Sequence, residues 1–249
     1  MTPLTFFGLW VETNHFRTID GGEPIRTTMQ GRVACFLILN LLCMTTTIVP
    51  TVHAETGNSG WRTVGIDPEM WTDGPEVEDT PMQYTYQGNA IVELEVSYVP
   101  SHLSPRAYGV IVIELFEQWA PITTENMILH VEEGIYDGIF FHRVIDDFVV
   151  QGGDPTCSTI LVYPATSPQC GSGGTGETIP LEHDPNLSHV DGAIGMARSQ
   201  DPDSADAQWY IAETEAHGLD PENREDEGYA TFGIVRDGMS HIRGIALTP

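Results

Sequence analysis

Lysine is absent from the 249 residues: all ten basic residues are arginine, set against 36 aspartates and glutamates, for a formal net charge of −26. Without a lysine amine the chain can form neither a Schiff base with a carbonyl substrate nor a Walker-type phosphate loop. The negative excess argues against a nucleic-acid partner, because a net anion must overcome repulsion from every phosphate. Hydrolase and metalloprotease signatures are missing too, with no G-x-S-x-G, H-x-H or H-E-x-x-H anywhere. No segment repeats at a period of about 20–50 residues, which excludes a solenoid. Disorder throughout is excluded by a hydrophobic share of 41%.

Long apolar runs are also scarce. The longest, Val33 to Val49, follows Met29-Gln-Gly-Arg32 and precedes Pro50-Thr-Val-His-Ala54. A cationic start, an apolar stretch and a Val-x-Ala ending predict a secretory signal peptide cleaved after Ala54, with Met29 as its natural first residue and residues 1–28 as an extension. The alternative is an uncleaved anchor, the one reading that puts the protein at a membrane. Both place residue 55 onward outside the cytoplasm, secreted or in the cell envelope. Of the four cysteines, Cys35 and Cys43 fall in the apolar run, which leaves Cys157 and Cys170. In an exported chain these two predict a disulfide, stabilising by about 3 kcal/mol on the chain-entropy view. Two free thiols or half of a zinc site are the alternatives. High acidity without lysine also points to a salty habitat, where carboxylates keep the surface hydrated.

Residues 55–88, rich in Gly, Pro and acids, read as a linker or loosely docked extension with Trp61 and Trp71 as anchors. Beyond it, Val92, Leu94 and Val96 alternate with Glu93, Glu95 and Ser97, the pattern of a half-buried strand. Tyr108–Phe116 is apolar on both faces and reads as a more deeply covered strand. Pro121 opens a helix with Met127, Ile128, Val131 and Ile135 on its apolar stripe, ended by Gly134. Strands are predicted at 139–145, 148–151, 193–197, 208–212 and 230–235, and a short helix at 239–247. Many short strands with two helices predict a mainly β fold, a closed antiparallel barrel rather than an α/β sheet.

Several motifs carry little chemistry. Gly171-Ser-Gly-Gly-Thr-Gly176 matches G-x-G-x-x-G but lacks the strand before it and the helix after it, so it reads as a turn. Glu182, His183, Asp184 and His189 have no ligand spacing that demands a metal. Asp201, Asp203 and Asp206 only hint at calcium, and no metal is assigned. Asn186-Leu187-Ser188 is a glycosylation sequon. The acidic run 220–227 reads as a solvated loop.

Phe141-His-Arg-Val-Ile-Asp-Asp-Phe-Val-Val-Gln-Gly-Gly-Asp154 differs in kind, because it resembles the signature of the cyclophilin-type peptidyl-prolyl isomerases. Ala120–Asn126, Gly134–Gly138, Gly174–Gly176, Met196–Ser199, Asp203–Ala205, Gln208–Ile211 and Gly228–Gly233 follow in the family's order. The Met-Ala-Arg and Gly-Tyr-Ala versions resemble its bacterial-style branch. The resemblance spans roughly residues 90–247 and implies an eight-stranded-type antiparallel barrel, closed or nearly closed and capped by two α-helices, over 89–249. It also implies an isomerase that acts, without cofactor and as a monomer, on proline-containing peptides and unfolded exported proteins.

The chemistry needs no nucleophile, metal or proton transfer. An X–Pro amide turns slowly because resonance opposes rotation, with a barrier of about 20 kcal/mol. A roughly 10⁵-fold acceleration takes about 7 kcal/mol of stabilisation given only to the twisted amide. A planar, permanent guanidinium beside an apolar pocket can supply part of that. The resemblance gives this role to Arg143, with Gln151 orienting it. Phe148, Val149, Tyr210 and Leu219 become the proline pocket; His142, Gln208, Arg198, Ser199 and Tyr229 complete the substrate-binding set.

The sequence departs from the family's pattern in places. Val149 stands where Met is usual, Tyr210 and Trp209 where Phe is usual, Tyr229 where His is frequent, and Gly218 where many eukaryotic members have an aromatic rim residue. The Tyr210 hydroxyl must therefore find a partner or make the pocket more polar. Cys157–Cys170 resembles an insertion near the groove. The family usually continues beyond the position of Pro249 with another strand, which predicts either a C-terminally truncated domain or an open sheet edge here.

Overall fold

The computed structural model describes residues 67–101, 104–157 and 170–248, and the backbone of 12–18. Met29, the apolar run 33–49 with Cys35 and Cys43, the cleavage site at Ala54, and Trp61 lie outside the described residues. The strands are β1 (Glu12–Thr18), β2 (Ile91–Tyr98), β3 (Ala107–Leu115), β4 (Arg143–Ile145), β5 (Val149–Gly152), β6 (Ala193–Met196), β7 (Trp209–Ala212) and β8 (Thr231–Asp237). The helices are α1 (Pro121–Glu132) and α2 (Met239–Ala246).

All ladders are antiparallel, in the spatial order β1-β2-β3-β8-β6-β7-β5-β4. The seven strands from β2 to β8 form a curled half-barrel, and β1 extends it at the β2 edge. Among the described residues no ladder joins β1 to β4, so the half-barrel is seen but the closure of the expected closed or nearly closed barrel is not.

The local reasons are those the sequence offers. In β2, Val92, Leu94 and Val96 are buried while Glu93 and Glu95 are half-buried. β3 is buried continuously only from Ile111 to Leu115; Tyr108 and Val110 face outward, so its first half is covered on one side only. α1 begins on Pro121, and the N–H groups of Ile122 and Thr123 donate to the Glu182 carboxylate at 3.2 and 2.9 Å. That carboxylate satisfies free donors at the positive end of the helix. Before α2, Gly238 sits at φ +89°, where an added Cβ would lie 2.4 Å from the Val110 carbonyl oxygen, so only glycine fits. Met239, Ile242 and Ile245 are then fully buried, each stabilising by about 1.5–3 kcal/mol.

Residues 67–88 are held down by polar ties that the sequence reading did not find. Arg236 donates to Glu114 at 2.7 Å, to the Met82 carbonyl at 3.0 Å and to the Tyr84 carbonyl at 2.6 Å. Glu114 is fully buried and also accepts from the Tyr86 N–H and the Asn89 amide, both at 2.8 Å. Desolvating this pair is costly, and these extra bonds offset the cost. Met82 is fully buried, and Asp73 accepts from the Ser240 N–H and hydroxyl at the start of α2.

Cys157 and Cys170 form a disulfide. No helix among the described residues is long and apolar enough to cross a membrane.

Candidate active site

Antiparallel register builds the site. Arg143 on β4 lies opposite Gln151 on β5, which lies opposite Tyr210 on β7, which lies opposite Gly195 on β6, which lies opposite Thr231 on β8. Paired residues share a face of the sheet, so the register alone puts these five in one row. Arg143 Nη1 donates to Gln151 Oε1 at 3.3 Å, and Gln151 Nε2 donates to Gln208 Oε1 at 3.1 Å. Gln208 in turn donates to the Gly173 carbonyl at 2.8 Å. The guanidinium is exposed, its Cζ 5.7 Å from the centre of the Phe148 ring. Among the described residues no carboxylate pairs with it.

Beside it is a cavity of about 230 Å³ lined by Arg143, Phe148, Val149, Gln151, Ala197, Arg198, Tyr210, Leu219 and Tyr229. Pockets for cofactors and drug-sized ligands are usually about 300–1,000 Å³, so this one suits a small apolar ring better. A second cavity of about 630 Å³ shares Gln151, Ala197 and Arg198 with the first and continues along Gly171–Gly174, Ser199 and Gln208.

The floor rests on a buried polar relay. His189 Nδ1 lies 2.6 Å from Asp220 Oδ1, and its Nε2 lies 2.7 Å from the Tyr210 hydroxyl. With Asp220 accepting from Nδ1, Nε2 is the acceptor and Tyr210 donates. His189 and Tyr210 stack at 14° between planes. Burial pushes the Tyr210 phenol well above its ordinary value, so it stays protonated. Burial alone would raise the Asp220 carboxyl, but hydrogen bonds from His189, Ser188 and His217 overcome it and hold the group far below the usual carboxylate range. Gly195 makes the relay possible, since a Cβ there would lie 2.4 Å from Tyr210 Cζ.

The other expected site residues divide. Phe148, Val149, Leu219 and Tyr229 line the small cavity; Ser199 and Gln208 line the large one. Arg198 borders both, but its donors are already in use as a brace. It bonds the Gly228 carbonyl from Nε at 2.9 Å and from Nη2 at 2.7 Å, the Ser199 carbonyl at 2.9 Å, and the Asp226 carbonyl. Its guanidinium lies 4.7 Å from the Tyr229 ring centre, so it fixes that wall. His142 lines neither cavity; its ring faces Gly171 at the disulfide, and burial lowers its pKa.

The motifs set aside earlier also have places. The Gly171–Gly176 turn cradles anions, but the protein's own: Asp154 accepts from the N–H groups of Gly171 and Gly173, and Asp206 from those of Thr175 and Gly176. Asp203 accepts from the Leu181 N–H and Asp201 from the Asp203 N–H, so the calcium hint in this stretch dissolves into turn hydrogen bonds. Glu182, His183 and His189 do not converge; they cap α1, bond the Glu227 carbonyl and support Tyr210 respectively. In the sequon, the Asn186 amide donates to Asp184 and the Ser188 hydroxyl to Asp220. Sequence reasoning missed His189, Asp220, Gly195, Thr231 and Ala197. Ala197, between Met196 and Arg198, and Thr231, within Gly228–Gly233, had a local signal, each lying in a quoted motif.

Comparison with known proteins identifies the family. Residues 85–249 match the family described as cyclophilin type peptidyl-prolyl cis-trans isomerase/CLD. A peptidyl-prolyl cis-trans isomerase of Acinetobacter baylyi is 36% identical over 57% of this chain and 69% of its own length. Isomerase B of Escherichia coli is 34% identical over 56% of this chain and 81% of its own. An isomerase-like protein of the fungus Rhizopus delemar is also 34% identical, over 56% and 75%. Similar identities in bacteria and a fungus leave the branch unassigned. A solved Cryptosporidium parvum cyclophilin, determined in the presence of the dipeptide Ala-Pro, covers 57% of this chain and 81% of its own at 27% identity and a TM-score of 0.47. With the family match spanning the whole half-barrel and the cavity beside Arg143, this chain belongs to the cyclophilin-type peptidyl-prolyl cis-trans isomerases.

Proposed function

We propose that the chain speeds rotation about X–Pro bonds in exported proteins, with Arg143 stabilising the twisted amide. The observation that carries this reading is the small cavity, where a guanidinium with no carboxylate partner among the described residues borders an apolar floor. A proline ring seated against Phe148, Val149, Tyr210 and Leu219 is removed from water, which favours the state with less charge separation in the amide. As the bond twists, the nitrogen regains its lone pair, and a guanidinium N–H from Arg143 donates to it. That bond is stronger in the twisted state than in either planar isomer, which is what a rate enhancement requires. Gln151 holds Arg143 at the rim and offers its own amide to the peptide backbone, while Ser199 and Gln208 contact residues further along in the large cavity.

The export context is supported by the Val33–Val49 pattern and by the Cys157–Cys170 disulfide, a bond that persists in oxidising compartments. On this reading residues 1–54 are lost on export, the clients are unfolded exported chains, and the catalytic unit is a monomer. The half-barrel is the larger part of an eight-stranded barrel, and Met196-Ala-Arg198 with Gly228-Tyr-Ala230 supports the bacterial-style branch. The alternative is a non-catalytic proline-peptide-binding module on the same scaffold, motivated by Val149 and Tyr210; the Tyr210 hydroxyl, turned to His189 instead of free in the pocket, supports the catalytic reading over it.

A protease-coupled prolyl-peptide assay tests the catalytic role. Arg143→Ala is expected to lower kcat/KM by about 10²-fold or more, of the order seen when one preorganised donor is removed, with the fold intact. Equal rates for the variant and the parent would overturn it.

A further inference from the structure

We propose that Asp146, Asp147 and Glu213 form a site for a calcium-type divalent cation on the rim of the half-barrel. Asp146 and Asp147 lie in the turn between β4 and β5, and Glu213 directly follows β7. The Glu213 N–H donates to the Phe148 carbonyl at 2.9 Å, which ties the strand end to that turn. One oxygen from each of the three carboxylates lies within 4.8 Å of the others. Two oxygens on one calcium ion can be at most about 5 Å apart, twice a Ca–O distance of 2.3–2.6 Å, so no pair of the three is too far apart to share an ion.

An acidic cluster on a surface this negative would mean little alone. The second observation is Glu213 itself, which is 8% exposed and whose Oε2 is buried without a hydrogen-bond partner. Leaving a buried carboxylate oxygen unpaired beside two further carboxylates is costly. The nearby cation does not remove that cost, since Arg243 directs its guanidinium to Asp191 at 2.7 Å. Burial, then the Asp146 and Asp147 charges, raise the Glu213 pKa, opposed by the Asp147 N–H and Arg243. A bound divalent ion supplies the missing partner and neutralises the cluster. The donors are all oxygens, which suits a hard cation and disfavours zinc or copper. Calcium tolerates an irregular shell completed by water, whereas magnesium demands a near-ideal octahedron at about 2.0–2.1 Å. No ligand spacing marks these carboxylates in the sequence, because they meet only through the β5–β7 pairing.

The test is calcium titration of the EDTA-treated full chain by calorimetry in about 0.1 M NaCl, a salt level that screens diffuse binding. One saturable site is expected, at least about tenfold weaker in Glu213→Gln and in Asp147→Asn, since losing a ligand should cost no less than the 10–100-fold typical of losing a supporting partner. Amide NMR shifts on adding calcium should cluster at residues 145–148 and 213. Glu213→Gln removes a buried charge, so it is expected to fold, and unchanged prolyl isomerisation confirms that it has. Heats that never saturate, or equal affinity in parent and Glu213→Gln, would overturn the site. Neither readout depends on turnover, so its failure is distinct from failure of the catalytic reading.

Discussion

The most informative single atom is the Tyr210 hydroxyl. A phenol on the floor of the small cavity threatens to make it polar, yet the hydroxyl donates to His189 Nε2 at 2.7 Å and leaves the ring to face the cavity. The substitution of Tyr for the family's usual Phe thus needs two further residues: Gly195, whose missing Cβ makes room for the ring, and His189, held in the accepting tautomer by Asp220. Tyr210→Phe is therefore expected to act on stability more than on catalysis. It removes the 2.7 Å donor to His189 Nε2 and leaves that nitrogen the Thr231 hydroxyl at 3.3 Å, at a cost of about 1 kcal/mol, while kcat/KM stays within about threefold because the ring remains. Urea unfolding alongside the peptide assay checks this; unchanged stability with a large loss of rate would place the hydroxyl in the chemistry instead.

At the scale of elements, the 217–220 turn links acid stability to the pocket. The Asp220 carboxyl has a lower pKa folded than unfolded, so its stabilisation is complete above the unfolded value of about 3.9 and is lost as pH falls below it. Asp154 has the same sign: burial opposes it, but the Thr156 hydroxyl and the Gly171 and Gly173 N–H groups prevail. Asp191 and Glu213 have the opposite sign, raised first by burial, so their contribution grows as pH drops through their raised values. Stability is expected to change little from pH 7 to about 5 and to fall steeply below about 4. In Asp220→Asn the loss at neutral pH should shrink as pH falls, and a constant gap down to about pH 2 would refute the assignment. The elements themselves were largely legible: alternation located β2, Pro121 and Gly134 bounded α1, and the Phe141–Asp154 motif located the hairpin that carries Arg143 and Gln151. β4 proved shorter than the predicted 139–145, because Phe140 donates its N–H to the Cys157 carbonyl and only Arg143–Ile145 joins the ladder. The His189–Asp220 relay, the Asp146–Asp147–Glu213 cluster and the Arg236 clamp on residues 82–84 were not legible. Each depends on partners far apart in sequence, for which no periodicity or spacing leaves a trace.

Across the whole molecule two features compete, the pairing of β1 and the surplus of negative charge. β1 covers residues 92–97 of β2, and the proposed export with cleavage after Ala54 would remove it. The uncovered edge would still carry Glu93 and Glu95, charges of the kind that discourage strand addition by another chain. Hydrogen exchange should show faster amides on the outer edge of β2 in residues 55–249 than in the full chain; identical protection would mean that β1 does not pair in solution. The charge surplus gives the other prediction. With 36 acidic and ten basic residues, negative charges far outnumber positive ones, and self-repulsion opposes the compact state. Among the described residues, the ion pair of Arg236 with Glu114 is nearly buried and little affected by salt. Arg224 with Asp226 and Arg243 with Asp191 are more exposed, and such pairs are worth about 0–1 kcal/mol each. Raising NaCl from about 0.1 to 1 M shortens the screening length from about 10 to 3 Å, so it removes more repulsion than attraction. The melting temperature of the full chain should therefore rise, by about 2–4 °C for each kcal/mol of repulsion relieved. A fall over that range would mean that exposed ion pairs outweigh the surplus, and that the acidic surface is not an adaptation to salt.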